Sequence, residues 1–209
     1  MSSGSLLMND VPDGSVATRF QTEDYIKAMI GTIDFGDVTI GPEIVTKVFH
    51  RCQELATQGV TFDEAQASFI LLVLEEFGLE LAQFKCLSGQ VTVSFGEDRE
   101  SICDATIKVD TGVDEPKHVA YEDATPVRAL NGALQKVVVS LADGITLGNV
   151  VKERIPTSDG APEVYRATIT LENCTDTWTS VGVGPNLIEA FIKALLDGYR
   201  YAAYRHNLP

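Results

Sequence analysis

Past Lys85 the apolar residues of this 209-residue chain stop recurring every three or four positions and begin to alternate, and the pattern that follows runs twice. Val91, Val93 and Phe95, then Cys103, Ala105, Ile107 and Val109, then Val119 and Tyr121 predict three short strands separated by Gly- and Asp-containing turns. A helix follows, opened by Ala124-Thr125-Pro126, striped by Val127, Leu130, Leu134, Val137 and Val138, and ended at Asp143-Gly144. Then the order repeats. Gly89-Gln90-Val91 matches Gly148-Asn149-Val150, and Pro126 matches Pro185, each 59 residues on; Ala105-Thr106-Ile107 matches Ala167-Thr168-Ile169, 62 residues on. The third strand of the second copy is expected from Trp178 to Val183, and its helix carries Leu187, Ile188, Phe191, Ile192, Leu195, Leu196 and Tyr199. Two β-β-β-α units with no helix between the strands of a unit imply antiparallel sheets with helices packed on one face, an α+β fold with pseudo-twofold symmetry. Three strands and one helix cannot bury both sides of their sheet, so the copies are expected to pack on one another and a homodimer to cover the rest.

The residues before the repeat divide in two. Met1 to Ala17 is rich in Ser, Gly, Asp and Pro without apolar periodicity, and residues 1–40 are expected to be mostly disordered or extended. Residues 41–84 read as a helical subdomain. Pro42 sits in the first turn of a helix striped by Ile44, Val45, Val48, Phe49, Cys52, Leu55 and Ala56 and closed at Gly59. A second helix is expected at once, with Thr61 and Glu64 as a capping box and Gly78 as a left-handed cap; its run Phe69 to Leu74 predicts burial on more than one side. Residues 85–209 then hold the duplicated module.

Composition narrows the partners. Thirty Asp and Glu against 16 Lys and Arg give a formal charge of −14, which excludes nucleic acid and disfavours an anionic membrane, because both need clustered cations. A chain of this length buries roughly 70% of its unfolded surface, so no metal or disulfide is needed to hold it together. Cys52, Cys86, Cys103 and Cys174 show no CxxC spacing and are expected to be free thiols; with no signal sequence or spanning segment, the expected location is cytoplasmic. The Asn173-Cys174-Thr175 triplet formally fits a glycosylation acceptor, which has no meaning without secretion.

No reaction has a visible seat. His50, His118 and His206 have no metal-ligand spacing among them, and no nucleophile elbow, P-loop, zinc-protease helix or dinucleotide fingerprint occurs, so neither metal nor cofactor is expected. The run Glu97-Asp98-Arg99-Glu100 reads as a solvated turn. The most suggestive local feature is the strand-to-helix junction Val181-Gly182-Val183-Gly184-Pro185-Asn186, with a weaker twin at Asp123-Ala124-Thr125-Pro126-Val127. Each aims a helix N-terminus out of a strand end, where a carboxylate can dock beside small residues; the alternative is that Gly and Pro only shape a tight turn.

These motifs resemble a known family. Trp178-Thr-Ser-Val-Gly-Val-Gly-Pro-Asn-Leu-Ile-Glu-Ala190 is similar to the closing motif of the C-terminal regulatory domain of α-isopropylmalate and citramalate synthases, a W-x-T-V-G-V-S-x-N-I-I-E-A pattern. Ala124-Thr-Pro-Val-Arg-Ala-Leu-Asn-Gly-Ala-Leu134 resembles that domain's G-x-G-P-V-N-A-L-x-x-A-L helix start, and Gly59 to Phe69 resembles the G-Y-x-F-E-x-A-x-A-S-F helix that precedes it. The resemblance covers roughly residues 41 to 205. It implies the same duplicated fold, a dimer, and leucine or isoleucine bound as feedback effector between the modules. Val127, Leu130 and Leu134, with Leu147 and Asn149, would line the side-chain pocket, and Ala124, Thr125, Gly182 and Gly184 would lie near the head group. The family's T-L-R-D-G-x-Q strand and H-x-H pair, which belong to its catalytic barrel, are absent here, so the chain is expected to have no reaction of its own. The expectation is a stand-alone regulatory domain; the alternatives are a non-sensing dimerisation or docking module for a separate catalytic subunit, or a fragment of a full synthase.

Overall fold

The computed structural model describes residues 19–35, 39–96, 99–139, 144–157 and 160–206. Three helices come first: α1 (Glu23–Ile30), α2 (Pro42–Thr57) and α3 (Gln66–Phe77). Then come β1 (Lys85–Gly96), β2 (Arg99–Asp110), β3 (Lys117–Asp123) and α4 (Pro126–Val137), followed by β4 (Thr146–Ile155), β5 (Val164–Glu172), β6 (Thr177–Gly184) and α5 (Leu187–His206). The strands form two antiparallel three-stranded sheets, β1-β2-β3 and β4-β5-β6, so the expected pair of β-β-β-α modules is present.

The strand ladders correct the repeat alignment. Ala105 pairs with Tyr121 and Ala167 with Gly182, and Cys103 pairs with Asp123 as Tyr165 does with Gly184. Tyr121 therefore corresponds to Gly182, 61 residues on, and the matched 59-residue spacings of Gly89 with Gly148 and Pro126 with Pro185 are two positions out of register. The helix caps agree. Thr125 accepts the Arg128 N–H and Asn186 accepts the Glu189 N–H, so Thr125 and Asn186 hold the same place. A register irregularity falls between Cys86 and Ser88 in β1 and, at the corresponding place, between Leu147 and Val150 in β4, and Gly148-Asn149 sits inside the second.

Each helix lies on its module's second and third strands through matched small residues. Ala129 and Ala133 of α4 correspond to Ala190 and Ala194 of α5, and all four are fully buried. At the crossing itself the two modules exchange sizes. In the first, β3 supplies the Tyr121 ring and α4 supplies Gly132, whose missing Cβ leaves room for that ring. In the second, β6 supplies Gly182, where a Cβ would lie 2.5 Å from the Ala194 nitrogen and still closer to the Ala190 carbonyl, while α5 supplies Lys193. The modules meet helix to helix, where the buried Tyr199 hydroxyl donates to Asn131 Oδ1 at 2.9 Å.

The helical pair lies where the sequence places it, with one boundary moved. Pro42 opens α2, and the left-handed Gly78 (φ 90°) closes α3. The Thr61–Glu64 capping box does not form. The chain turns through residues 63 and 64, α3 starts at Gln66 after Ala65 without a side-chain cap, and Thr61 Oγ1 instead accepts Arg166 Nη1 at 2.8 Å. A tertiary partner of greater charge wins over a local cap. Arg166 also donates to the Gly59 carbonyl and pairs with Glu153, which ties the α2–α3 connection to the second sheet. Gly59 is left-handed (φ 89°) and lies flat against Ile155. Within residues 1–40 the sequence reading misses α1, capped by Thr22, which buries Ile26 and Ile30 and packs on α2. The reading of residues 1–17 and the predicted helix end at Asp143 lie outside the described residues, as do residues 97 and 98 of the turn expected over 97–100, whose last two residues instead open β2.

Candidate functional site

Packing α3 beside β6, the edge strand of the second sheet, leaves a cleft of 760 Å³ between the helical pair and the second module. One wall is apolar, with Leu55, Val60, Leu71 and Leu72; the other is the edge of β6 from Val181 to Gly184. A polar network lines its base. Ser68, buried immediately before the apolar run Phe69 to Leu74, donates from Oγ to Asp197 Oδ2 at 2.9 Å and accepts the Val181 N–H at 3.0 Å. Arg200 donates to Asp197 Oδ1 at 3.3 Å and to the Ala82 carbonyl at 3.2 Å, and pairs with Glu75. Burial pushes the Asp197 carboxyl up to about 6, against the opposing pull of Ser68 and Arg200. Lys193 Nζ donates to the Val183 carbonyl at 2.8 Å. Ser68 and Lys193 thus occupy two of the backbone groups that the β6 edge exposes.

The nine residues singled out from sequence are not gathered in one place. Gly182 and Gly184 line the cleft with their backbone, and their lack of a side chain serves the close approach of α5: a Cβ on Gly184 would lie 2.8 Å from the Glu189 Cβ. Ala124 and Thr125 are exposed at the start of α4, and Val127 is half-buried behind them. Leu130 and Leu134 are each 1% exposed, sealed into the core where α4 meets β2 and β3. Leu147 is half-buried, and Asn149 stands exposed in the β4 irregularity. Both helix N-termini carry side-chain caps, Thr125 for α4 and Asn186, in a reciprocal pair with Glu189, for α5. Some of the donors that an anion would use are already taken.

The network residues Ser68, Asp197 and Arg200 were beyond reach of motif reading, because they come from segments 129 positions apart. One signal was present. Asp197 interrupts the otherwise apolar stretch from Ala194 to Tyr199, and a carboxylate inside a buried stripe requires a partner. Among the described residues, no three His, Cys, Asp or Glu side chains form a group able to hold a metal ion, and no helix is long and apolar enough to cross a membrane.

No protein-family model matches the chain. Individual relatives do. The (R)-citramalate synthase of Geobacter sulfurreducens is 26% identical over 166 residues, covering 78% of this chain and 31% of that protein. That of Streptomyces coelicolor is 28% identical over 167 residues, with the same two shares. The chain is a relative of part of the citramalate synthases. That of Synechocystis sp. is 30% identical over 156 residues, 71% of this chain and 28% of that protein. The chain spans about a third of the length of the curated relatives it matches, as expected for a regulatory domain of the isopropylmalate and citramalate synthase family.

Proposed function

We propose that this chain is a regulatory domain that binds a branched-chain amino acid, leucine or isoleucine, in the cytoplasm, that pairs with a second copy of itself, and that has no reaction of its own. The observation that carries this reading is the extent of the match, 78% of this chain but 31% of a citramalate synthase, in a chain built as a duplicated β-β-β-α module with a helical pair. The pairing is supported by β1. α4 covers β2 and β3 but barely reaches β1, leaving Val93 49% and Phe95 82% exposed. Burying two such side chains against a second copy contributes roughly 3 kcal/mol per chain. The effector then engages the first module around Ala124, Thr125 and Val127, with Leu147 and Asn149 on the neighbouring module.

Calorimetric titration with leucine, isoleucine and valine, alongside sedimentation of the free chain, tests both halves. Heat and a raised melting temperature with one of the three are expected, together with a dimer. Silence with all three would remove the sensing role. A second reading has one observation in its favour: Leu130 and Leu134 already fill the space that an effector side chain would need. On that reading the chain is a dimerisation or docking module for a separate catalytic subunit, and a dimer that gives no heat with any effector selects it.

A further inference from the structure

The cleft between the helical pair and the second module carries a charge balance that effector binding at α4 does not use. Glu75 and Glu76 of α3, Glu163 ahead of β5 and Asp197 of α5 face it, against Arg51 of α2 and Lys193 and Arg200 of α5. Each cation is already engaged. Arg51 pairs with Glu54 on its own helix, Arg200 with Glu75 and Asp197, and Lys193 with the Val183 carbonyl. Among the carboxylates, Glu76 makes no direct hydrogen bond to a described residue, its charge acting on Arg51 at longer range. Asp197 keeps 30% of its side-chain surface open, and its two oxygens, each with one partner, retain lone pairs for another donor.

An extended peptide is a poor occupant, because Ser68 and Lys193 already hold the Val181 N–H and Val183 carbonyl on the β6 edge. A small carboxylate would meet a surplus of like charge. We infer that the cleft is a second ligand site, separate from the effector surface, and that it takes a small primary alkylammonium compound, with the ammonium on Asp197 and the alkyl body against Leu71 and Leu72. The site has the usual make-up of a small-molecule pocket: a volume of 760 Å³, an apolar wall and a few convergent polar groups. Burial outweighs the pull of Ser68 and Arg200 and holds the Asp197 carboxyl up at about 6, and a bound ammonium adds positive charge beside it. Binding therefore strengthens as pH rises through about 6, where an alkylamine, like lysine, stays protonated.

The test titrates the full chain with 3-methylbutylammonium and, separately, with 3-methylbutanoate, followed by amide NMR at pH 7.5 and pH 5. The amine is expected to shift the amides of Ser68, Val181 and Asp197 and to bind about tenfold more weakly at pH 5. Asp197→Asn is expected to weaken it at least tenfold. Failure of the amine to bind, equal binding of the carboxylate, perturbations away from the cleft, or an unaffected Asp197→Asn protein would each overturn the proposal. Should Asp197→Asn not fold, Glu76→Lys at the half-buried cleft wall decides it: a several-fold loss supports the proposal and no loss overturns it. A null result with leucine and isoleucine leaves this site standing, and a null result with the amine leaves the effector reading standing.

Discussion

The first strands of the two modules sit at the same place in the same fold and carry opposite surfaces. Through the ladders, Val91 opposite Ala105 corresponds to Lys152 opposite Ala167, and Val93 opposite Cys103 corresponds to Arg154 opposite Tyr165. Neither helix extends over its module's first strand. In the second module, that uncovered strand presents Lys152 and Arg154, the latter in a surface ion pair with Glu163 at 2.7 Å. In the first it is apolar and runs on to Phe95. A solvated face needs no cover, whereas exposed apolar side chains support the proposed pairing through β1. The duplication therefore holds one module against the helical pair and leaves the other with an uncovered apolar first strand.

The largest expected effect comes from the helix–strand crossings. Gly182→Ala drives a Cβ into the backbone of α5, which cannot yield, and should cost about 3 kcal/mol or more in denaturant unfolding. Gly132→Ala meets the Tyr121 ring first, a side chain that can swing outward, and should cost about 1 to 2 kcal/mol. Equal losses would show that the crossings are not different in kind.

Giving the first module the surface of the second comes next. Val93→Lys with Phe95→Arg should weaken self-association about 100-fold by sedimentation while leaving monomer stability within about 0.5 kcal/mol, since both positions are exposed. An unchanged dimer would place the contact elsewhere.

A smaller effect is a pH dependence confined to the second module. The folded-state pKa of Asp197, about 6, lies above its ordinary 3.8, so the folded chain holds this proton more tightly than the unfolded one. The resulting stabilisation is complete below about pH 4 and lost as pH rises through about 6. It amounts to about 1 to 2 kcal/mol after allowance for the side chain's partial exposure. Asp197→Asn should remove that dependence between pH 4 and 7 relative to the parent; a parallel pair of stability curves would refute it. The smallest difference concerns the caps. Thr125→Ala and Asn186→Ala should each cost about 1 kcal/mol, with Asn186 the larger because its amide also holds Glu189.

Much of the candidate site was out of reach of the sequence for the same reason that the repeat was legible but misaligned. Matching short words such as Gly-x-Val finds that two segments are alike, but the ladder sets which residues face each other, and an unpaired pair such as Gly148-Asn149 shifts it. Gly182 and Gly184 stood out as small residues beside a helix start. Whether smallness serves a ligand or a neighbouring helix depends on what lies above them, and here that is α5. Thr61 and Glu64 satisfied a local capping rule and lost to Arg166, a residue 105 positions away.

What the sequence determined by itself is whatever acts over a few residues: the change of period at Lys85, the paired β-β-β-α order, the helices opened by Pro42 and Pro126 and the left-handed stop at Gly78. Hydrophobic periodicity, proline geometry and positive φ are local properties, written in adjacent letters. The register of the copies, the exchange of Tyr121 and Gly132 for Gly182 and Lys193, and the cleft over Ser68 and Asp197 were decided only by tertiary structure. Each depends on groups that folding brings together from segments up to 129 residues apart, and burial, set against Ser68 and Arg200, decides the ionisation of the carboxylate between them.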